Sequence, residues 1–264
     1  MMEMTMRTDK ALQESRRFGV KPVPVLRPLG WLARGWQDLR RCPGPSLLHG
    51  LLMTLGGALI FWIAHERFWL LAAAFSGFLL VAPILATGLY ALSRDIERNK
   101  PVGLATVIEA WRPHDGRLMG FGLLLALAGT GWVLCSAALI TGYASAPVDK
   151  PIDFARHVVL AEHSLLFEAW LALGALLAAP VFASSVIAIP MLLDRRDQSL
   201  SILGAVFTSW RVVMEHPQAL ALWAFLLMAL TGLGMLSMIG LIVVLPWLGH
   251  ASWHAYRDLV GTRD

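Results

Sequence analysis

Two histidines near the end of the chain, His250 and His254, stand one helical turn apart. On a helix, residues four apart share a face, so both imidazoles point the same way. Paired imidazoles suit a transition metal or a haem iron. Tyr256 and Asp258 lie within the next turn, and His49 enters the first apolar segment at a comparable depth. The competing reading is purely physical. His, Trp and Tyr gather where a helix leaves hydrocarbon and meets headgroups, and Trp253 and Tyr256 complete such a rim here. No third or fourth ligand follows from spacing, and both readings stand at this point. A second constellation is the repeated Arg-Asp dipeptide, Arg94-Asp95 and Arg257-Asp258. These pairs are expected to meet across one rim of a helical bundle, as a lock or as a gate. A third is His163 with Glu168, near the outer surface and facing the loop 143–164, the one stretch expected on that side that is long enough to form a cap.

Other chemistry is missing. No ionised residue falls near the middle of any long apolar block, where an ion- or proton-coupled carrier needs one. The chain has no phosphate-cradling glycine loop with Lys, no HExxH and no GxSxG. The two cysteines, Cys42 and Cys135, have no metal-ligand spacing, and no disulfide is expected between them. The reading is therefore a non-catalytic protein with no cofactor, haem or metal at His250 and His254 being the exception to test.

Elements that would position these residues are written in the composition. Hydrophobic residues make up 57% of 264 and charged residues only 15%, against about 25% charged in a soluble domain. The charge deficit falls in blocks at 47–63, 68–92, 118–140, 166–193 and 219–248. Crossing a bilayer takes about 20 apolar residues, so the first four blocks each make one span. The fifth is too long for one and is interrupted by Thr231-Gly232-Leu233-Gly234, which predicts a hairpin there. Six spans are expected near 46–64, 68–92, 117–141, 166–193, 218–235 and 237–256, within one membrane domain over 23–260. Residues 1–22 lack apolar periodicity and are expected to be a disordered basic tail; 261–264 form a short C-terminal tail.

Orientation follows from the cations. With six spans, nineteen of the 22 Lys and Arg fall on one side, and Arg67, Lys150 and Arg156 on the other. The positive side is cytoplasmic, which places both termini in the cytoplasm of a bacterial inner membrane. A net charge of +4 needs no nucleic acid, because a basic rim against anionic lipid accounts for it. No cleavable leader pattern precedes the first span.

Three segments on the positive side repeat one pattern. Leu29-Gly30, Leu104-Ala105 and Leu203-Gly204 each lie the same distance before Trp36, Trp111 and Trp210. The apolar positions keep helical phase: Leu29, Leu32, Trp36 and Leu39 in the first, Leu104, Val107, Ile108 and Trp111 in the second, Leu203, Val206, Phe207 and Trp210 in the third. Arg34, Gln37 and Asp38 take the polar face of the first. These predict amphipathic interfacial helices near 29–41, 103–112 and 199–214. Pro43, Pro113 and Pro217 then end each helix, and a two-span hairpin follows whose return span carries Pro83, Pro180 with Pro190, or Pro246. The pattern predicts a threefold repeat of surface helix plus hairpin; convergence on common interfacial chemistry is the alternative.

The terminal run Leu245-Pro246-Trp247-Leu248-Gly249-His250-Ala251-Ser252-Trp253-His254-Ala255-Tyr256-Arg257-Asp258-Leu259, with Val25 to Leu32 and Gly35-Trp36-Gln37-Asp38-Leu39, resembles an uncharacterised family of bacterial predicted integral-membrane proteins, a domain of unknown function. Members are sometimes labelled as similar to cytochrome c oxidase subunit I. The resemblance implies a membrane protein without a known activity. The expected role is that of a partner or assembly factor of a membrane complex, such as a respiratory one, in contact with lipid and with a membrane-protein partner or a second copy. The alternatives are a carrier or channel for an uncharged or lipidic molecule, and a redox protein using His250 and His254.

Overall fold

The computed structural model describes residues 2–112, 116–161, 164–195 and 200–262. Helices dominate: α1 (Met2–Arg16), α2 (Arg27–Arg41), α3 (Pro43–Ala64), α4 (Phe68–Leu85), α5 (Thr87–Glu97), α6 (Leu104–Trp111), α7 (Arg117–Tyr143), α8 (Pro151–Phe154), α9 (Leu166–Ser185), α10 (Ala188–Asp194), α11 (Ile202–Glu215), α12 (Pro217–Ser237) and α13 (Leu241–Leu259). Two short strands, β1 (Phe18–Val20) and β2 (Val260–Thr262), pair antiparallel with Phe18 opposite Thr262. Pro113 and His163, named above, lie outside the described residues, as do the last two residues of the C-terminal tail.

Among the described residues, four helical segments are long and apolar enough to cross a membrane: Pro43–Ala64, Arg117–Tyr143, Leu166–Asp194 and Pro217–Ser237. They coincide with four of the six expected spans. The expected second span is helical too, but it is divided into α4 and α5 at Ala86, and the fourth is divided into α9 and α10 at 186–187. The last expected span is α13, displaced a few residues toward the C-terminus.

That displacement has a local cause. Thr231-Gly232-Leu233-Gly234 does not turn; it continues α12 as regular helix. The chain reverses at 238–240 instead. Ile239 N–H bonds the Ser237 carbonyl across Met238, whose φ is +55° and ψ −49°, the geometry of a γ-turn. Gly234 serves packing: a Cβ there would lie 3.0 Å from Leu241 Cδ2.

The chain divides into two compact units, 1–54 with 83–121 and 182–264, and 55–82 with 122–181. In the first, α5, α10 and α13 pack on one another, and each carries one outer helix: α6 on α5, α11 on α10, and α2 on α13. The inner three are closely filled. Leu89, Leu92, Ile189, Met191, Leu192, Trp253 and Tyr256 are all buried. The outer three are the expected amphipathic helices, within about three residues of their expected ends, and each expected apolar face is split between the protein and the outside. Small and polar residues join apolar ones in facing the protein: Gly35 and Asp38 with Trp31, Leu32 and Leu39 in α2, Ala110 with Val107 in α6, and Gly204, Ala205, Thr208 and Ser209 with Val212 in α11. Leu29, Trp36, Leu104, Ile108, Trp111, Leu203 and Trp210 face outward, and the three tryptophans are 40%, 42% and 38% exposed. Trp111 Nε1–H donates to the Leu85 carbonyl at the α4/α5 break, and Trp210 Nε1–H to Ser184 Oγ beside the α9/α10 break. Both pairs are separated by 26 residues. Trp36 packs edge-on against Trp247, next to Pro246.

The N-terminal segment corrects a second expectation. Rather than a disordered tail, it forms α1, which packs on α11 and leads into β1. Apolar periodicity did not reveal it because polar groups dock it. Ser201 N–H and Oγ–H both donate to Glu14 Oε2, at 2.8 and 2.6 Å.

The second unit is built around Ile140, Val148, Val158 and Leu166, with Phe68, Trp69, Phe154, Phe167 and Trp170 packed on them. The loop expected at 143–164 is largely structured, containing α8 and a π-helical turn at Ala155–Val159. Trp170 Nε1–H donates to Ser136 Oγ at 2.6 Å, and Lys150 pairs with Glu66 at 2.9 Å. A cleft of about 410 Å³ opens between Trp69, Ile140, Thr141 and the 144–149 segment.

Candidate functional site

Helix α13 gathers most of the residues singled out in the sequence. Its close approach to neighbours is made possible by glycine. A Cβ on Gly35 would lie 2.6 Å from Ala251 N, one on Gly50 would overlap the Ile242 carbonyl, and a Cβ on Gly249 would lie 2.5 Å from Leu89 Cδ1. Backbones brought this near place side chains of α2, α3 and α5 directly against the α13 histidines.

His250 is fully buried, and both ring nitrogens are engaged. Nε2 stands 2.9 Å from Ser46 Oγ on α3, and Nδ1 stands 2.7 Å from Ser93 Oγ on α5. Ser93 Oγ–H donates to Asp38 Oδ2 at 2.7 Å, and His254 Nε2–H donates to the same oxygen at 2.8 Å. Ser46 Oγ–H donates to the Cys42 carbonyl at 2.7 Å, and Cys42 Sγ–H to the Asp38 carbonyl at 3.3 Å. The result is one continuous chain, Cys42–Ser46–His250–Ser93–Asp38–His254, across four helices. Burial acts to raise the Asp38 carboxyl, but the bonds from His254 and Ser93 outweigh it and hold the group below its ordinary range.

A proton count limits what this chain can do. Each hydroxyl has one proton. If Ser93 donates to Asp38, then His250 must donate from Nδ1, and Nε2 of the neutral ring needs a donor. Ser46 can supply it only by releasing the Cys42 carbonyl. The opposite tautomer reverses the preference. A neutral His250 is thus poised between two hydrogen-bond arrangements. With both nitrogens tied to serines, it offers no lone pair directed at a shared ion with His254. Among the described residues no group of three or more His, Cys, Asp and Glu is arranged to hold a metal.

His49 lies apart from this chain. Its ring packs 4.9 Å from Trp111, and its Nε2 lies against Gly88.

The Arg-Asp dipeptides do not pair with each other. Arg94 bonds its neighbour Asp95 at 3.1 Å. Arg257 bonds Glu97 at 3.1 Å, and Glu97 also accepts Trp253 Nε1–H at 3.1 Å. Asp258 instead accepts Arg27 Nε–H at 2.6 Å, Trp31 Nε1–H at 2.9 Å and an Arg34 Nη2–H. Burial acts to raise its carboxyl, and these three donors more than offset that, holding it below the usual carboxylate range. A nearly buried carboxylate attracts cations from nearby helices more strongly than a fixed sequence pairing suggests. At the ends of the inner helices, Asp194 accepts Arg98 Nη2–H at 2.8 Å and Tyr256 Oη–H at 2.9 Å. Pro246 is buried within α13, and Trp247 beside it donates to the Leu32 carbonyl at 2.7 Å.

Sequence reasoning missed Ser46, Ser93, Trp31 and the burial of Asp38. The serines carry no motif. Asp38 carried a misleading signal, since an acidic residue on an amphipathic helix reads as solvent-facing. Trp31 is fully buried and meets Trp223 edge-on at 5.6 Å. The one available signal for it was its spacing: Trp31, Leu32, Gly35, Asp38 and Leu39 form a helical stripe once Gly and Asp are allowed on the inner face.

No curated protein and no solved structure matches the chain. The terminal run and the 25–39 segment, which carry the family resemblance, lie outside residues 70–194. Residues 70–194 match the family described as Predicted integral membrane protein (DUF2189), so that part of the chain is similar to a family of unknown function.

Proposed function

We propose that the chain is a non-catalytic, six-span protein of the bacterial inner membrane, with both termini in the cytoplasm. On this reading it acts as a partner or assembly factor for a membrane complex. The carrying observation is where its polar and apolar groups go. The polar chain around His250 and the carboxylates Asp194 and Asp258 are consumed by contacts between helices. Large apolar side chains are presented outward, among them Leu52, Leu59, Trp62, Leu127, Leu176, Phe225 and Leu236. A site built for turnover keeps reactive groups accessible; here they hold helices together.

Two further spans join the four apolar segments on this reading, α4 with α5 and α13. The outward Leu and Trp residues of α2, α6 and α11 support their lying along the inner lipid interface, where Trp is favoured. The three inner–outer helix pairs, with the two tryptophans docked at matching breaks, support a threefold repeat. The basic rim of this face suits anionic lipid.

Reporter fusions test the topology: one after Asp264 is expected to report cytoplasm, and one within 146–151 periplasm. A periplasmic C-terminus leaves an odd number of spans and removes the repeat. Extraction of the natively expressed protein in mild detergent tests the role. A stoichiometric membrane partner is expected to co-migrate, and migration of the protein alone overturns the partner reading. The redox alternative is addressed by absorption and metal analysis of purified protein, where a haem band lost in His254→Ala would replace the proposal.

A further inference from the structure

We propose that α1 is a releasable strap docked on α11, with the Glu14 carboxylate as its catch. The observations are confined to this pair of helices and do not depend on the partner reading above. Ser201 caps the N-terminus of α11, its Oγ accepting Gly204 N–H at 3.0 Å. The same hydroxyl and the Ser201 N–H both donate to Glu14 Oε2. Glu14 therefore brings negative charge to the end of α11 whose free N–H groups favour it. Gly204 leaves the space: a Cβ there would lie 2.5 Å from Glu14 Oε2. One turn on, Thr208 Oγ1 and Ser15 Oγ stand 3.1 Å apart. Arg211 then closes the contact, donating to the Ser15 carbonyl at 2.9 Å and to the Phe18 carbonyl at 2.6 Å.

What holds α1 is thus a short row of directional polar bonds rather than a packed apolar seam. Among the described residues of α1, Ala11 is the buried hydrophobic, whereas Met6 and Leu12 are 65% and 40% exposed. Hydrogen bonds exchange readily for water, so each contributes modestly, and a segment held this way opens before the rest of the fold. The face of α11 beneath it, Gly204, Ala205 and Thr208, is made of small residues, which accept a helix at close range. The site recognises a helix that presents a carboxylate to Ser201 and carbonyls to Arg211. In the resting chain that helix is α1. Among the described residues α1 packs on α11 and not comparably on α2 or α6, so it distinguishes one of the three outer helices.

Limited trypsin digestion of the full-length protein in nanodiscs tests this. Arg16 and Arg17 are exposed but held by the helix, and cleavage there is expected to be at least tenfold faster in Glu14→Ala and Glu14→Gln. Arg211→Ala is expected to act in the same direction, and Asp9→Ala, on the exposed side of α1, to leave the rate unchanged. Fluorescence of the buried tryptophans must keep the wild-type unfolding midpoint in the Gln variant. A labelled peptide of residues 2–17 is expected to bind Glu14→Gln saturably and wild type at least tenfold more weakly; the same peptide carrying Glu14→Ala is expected to bind neither. Unchanged cleavage in all Glu14 and Arg211 variants overturns the proposal. So does cleavage that rises only together with global unfolding, which would make α1 a fixed part of the fold.

Discussion

Ser93 Oγ lies 2.7 Å from His250 Nδ1 and 2.7 Å from Asp38 Oδ2, so one hydroxyl on α5 joins α13 to α2. All three residues are buried. Removing the hydroxyl leaves His250 Nδ1 without a partner and takes one of its two donors from Asp38 Oδ2, and a buried polar group left unpaired costs about 1–3 kcal/mol. Ser93→Ala is therefore expected to lower stability by that amount, measured by thermal or denaturant unfolding in micelles. A double-mutant cycle with His250→Gln is expected to show coupling of about 0.5–3 kcal/mol. Additive effects would mean that the two groups do not interact.

Acid is expected to loosen the contact between α2 and α13. Asp38 and Asp258 both have folded-state values below the ordinary carboxylate range. Each contributes stability that is fully present above the unfolded value near 4 and is lost as pH falls through the depressed folded value. Stability should thus decline between about pH 5 and the folded value, and Asp258→Asn should flatten that decline. At neutral pH the same variant should be less stable than wild type, because Arg27, Arg34 and Trp31 lose a charged acceptor. An acid profile identical to wild type would place the titrating groups elsewhere.

The sequence made the long apolar helices and the three outer helices legible because both rest on residue periodicity. Helices such as α7 and α12 need only a run of apolar residues, and nothing else in the chain competes for that pattern. Faces were harder. In α2 the large apolar residues Leu29 and Trp36 point away from the protein while Gly35 and Asp38 point inward. In lipid the outward side is as apolar as the core, so hydrophobicity alone cannot orient such a helix. The His250 chain was half legible. Two histidines at one turn are conspicuous, but Ser46 and Ser93 are ordinary residues until tertiary contact places them on the two ring nitrogens. α1 was not legible at all, since its docking consists of a carboxylate and carbonyls meeting polar groups about 190 residues away.

The turn at 238 stores strain. Met238 has φ +55° and ψ −49°, a conformation that a side chain with a Cβ adopts at a cost of order 1–3 kcal/mol. Glycine adopts positive φ far more easily. Met238→Gly is expected to raise stability by about 1 kcal/mol, read as a higher unfolding midpoint. A fall would show that the half-exposed Met238 side chain makes packing contacts worth more than the strain.

Two glycines on α2 offer a matched comparison. Gly30 and Gly35 are both in regular helix, where replacing glycine by alanine ordinarily gains about 0.8–1.0 kcal/mol through reduced unfolded-state freedom. At Gly30 a Cβ meets nothing within 4 Å, so Gly30→Ala should show that gain. At Gly35 the new atom would sit 2.6 Å from Ala251 N and 2.9 Å from its Cα. Those are backbone atoms, which cannot rotate aside, and overpacking of this kind costs about 1–3 kcal/mol. Gly35→Ala should therefore destabilise while Gly30→Ala stabilises, in the same helix and by the same substitution. The damage at Gly35 should also reach the His254–Asp38 bond, since α2 must move off α13 to admit the methyl group. Opposite signs in paired unfolding measurements would establish the close α2–α13 crossing, and equal gains at both positions would rule it out.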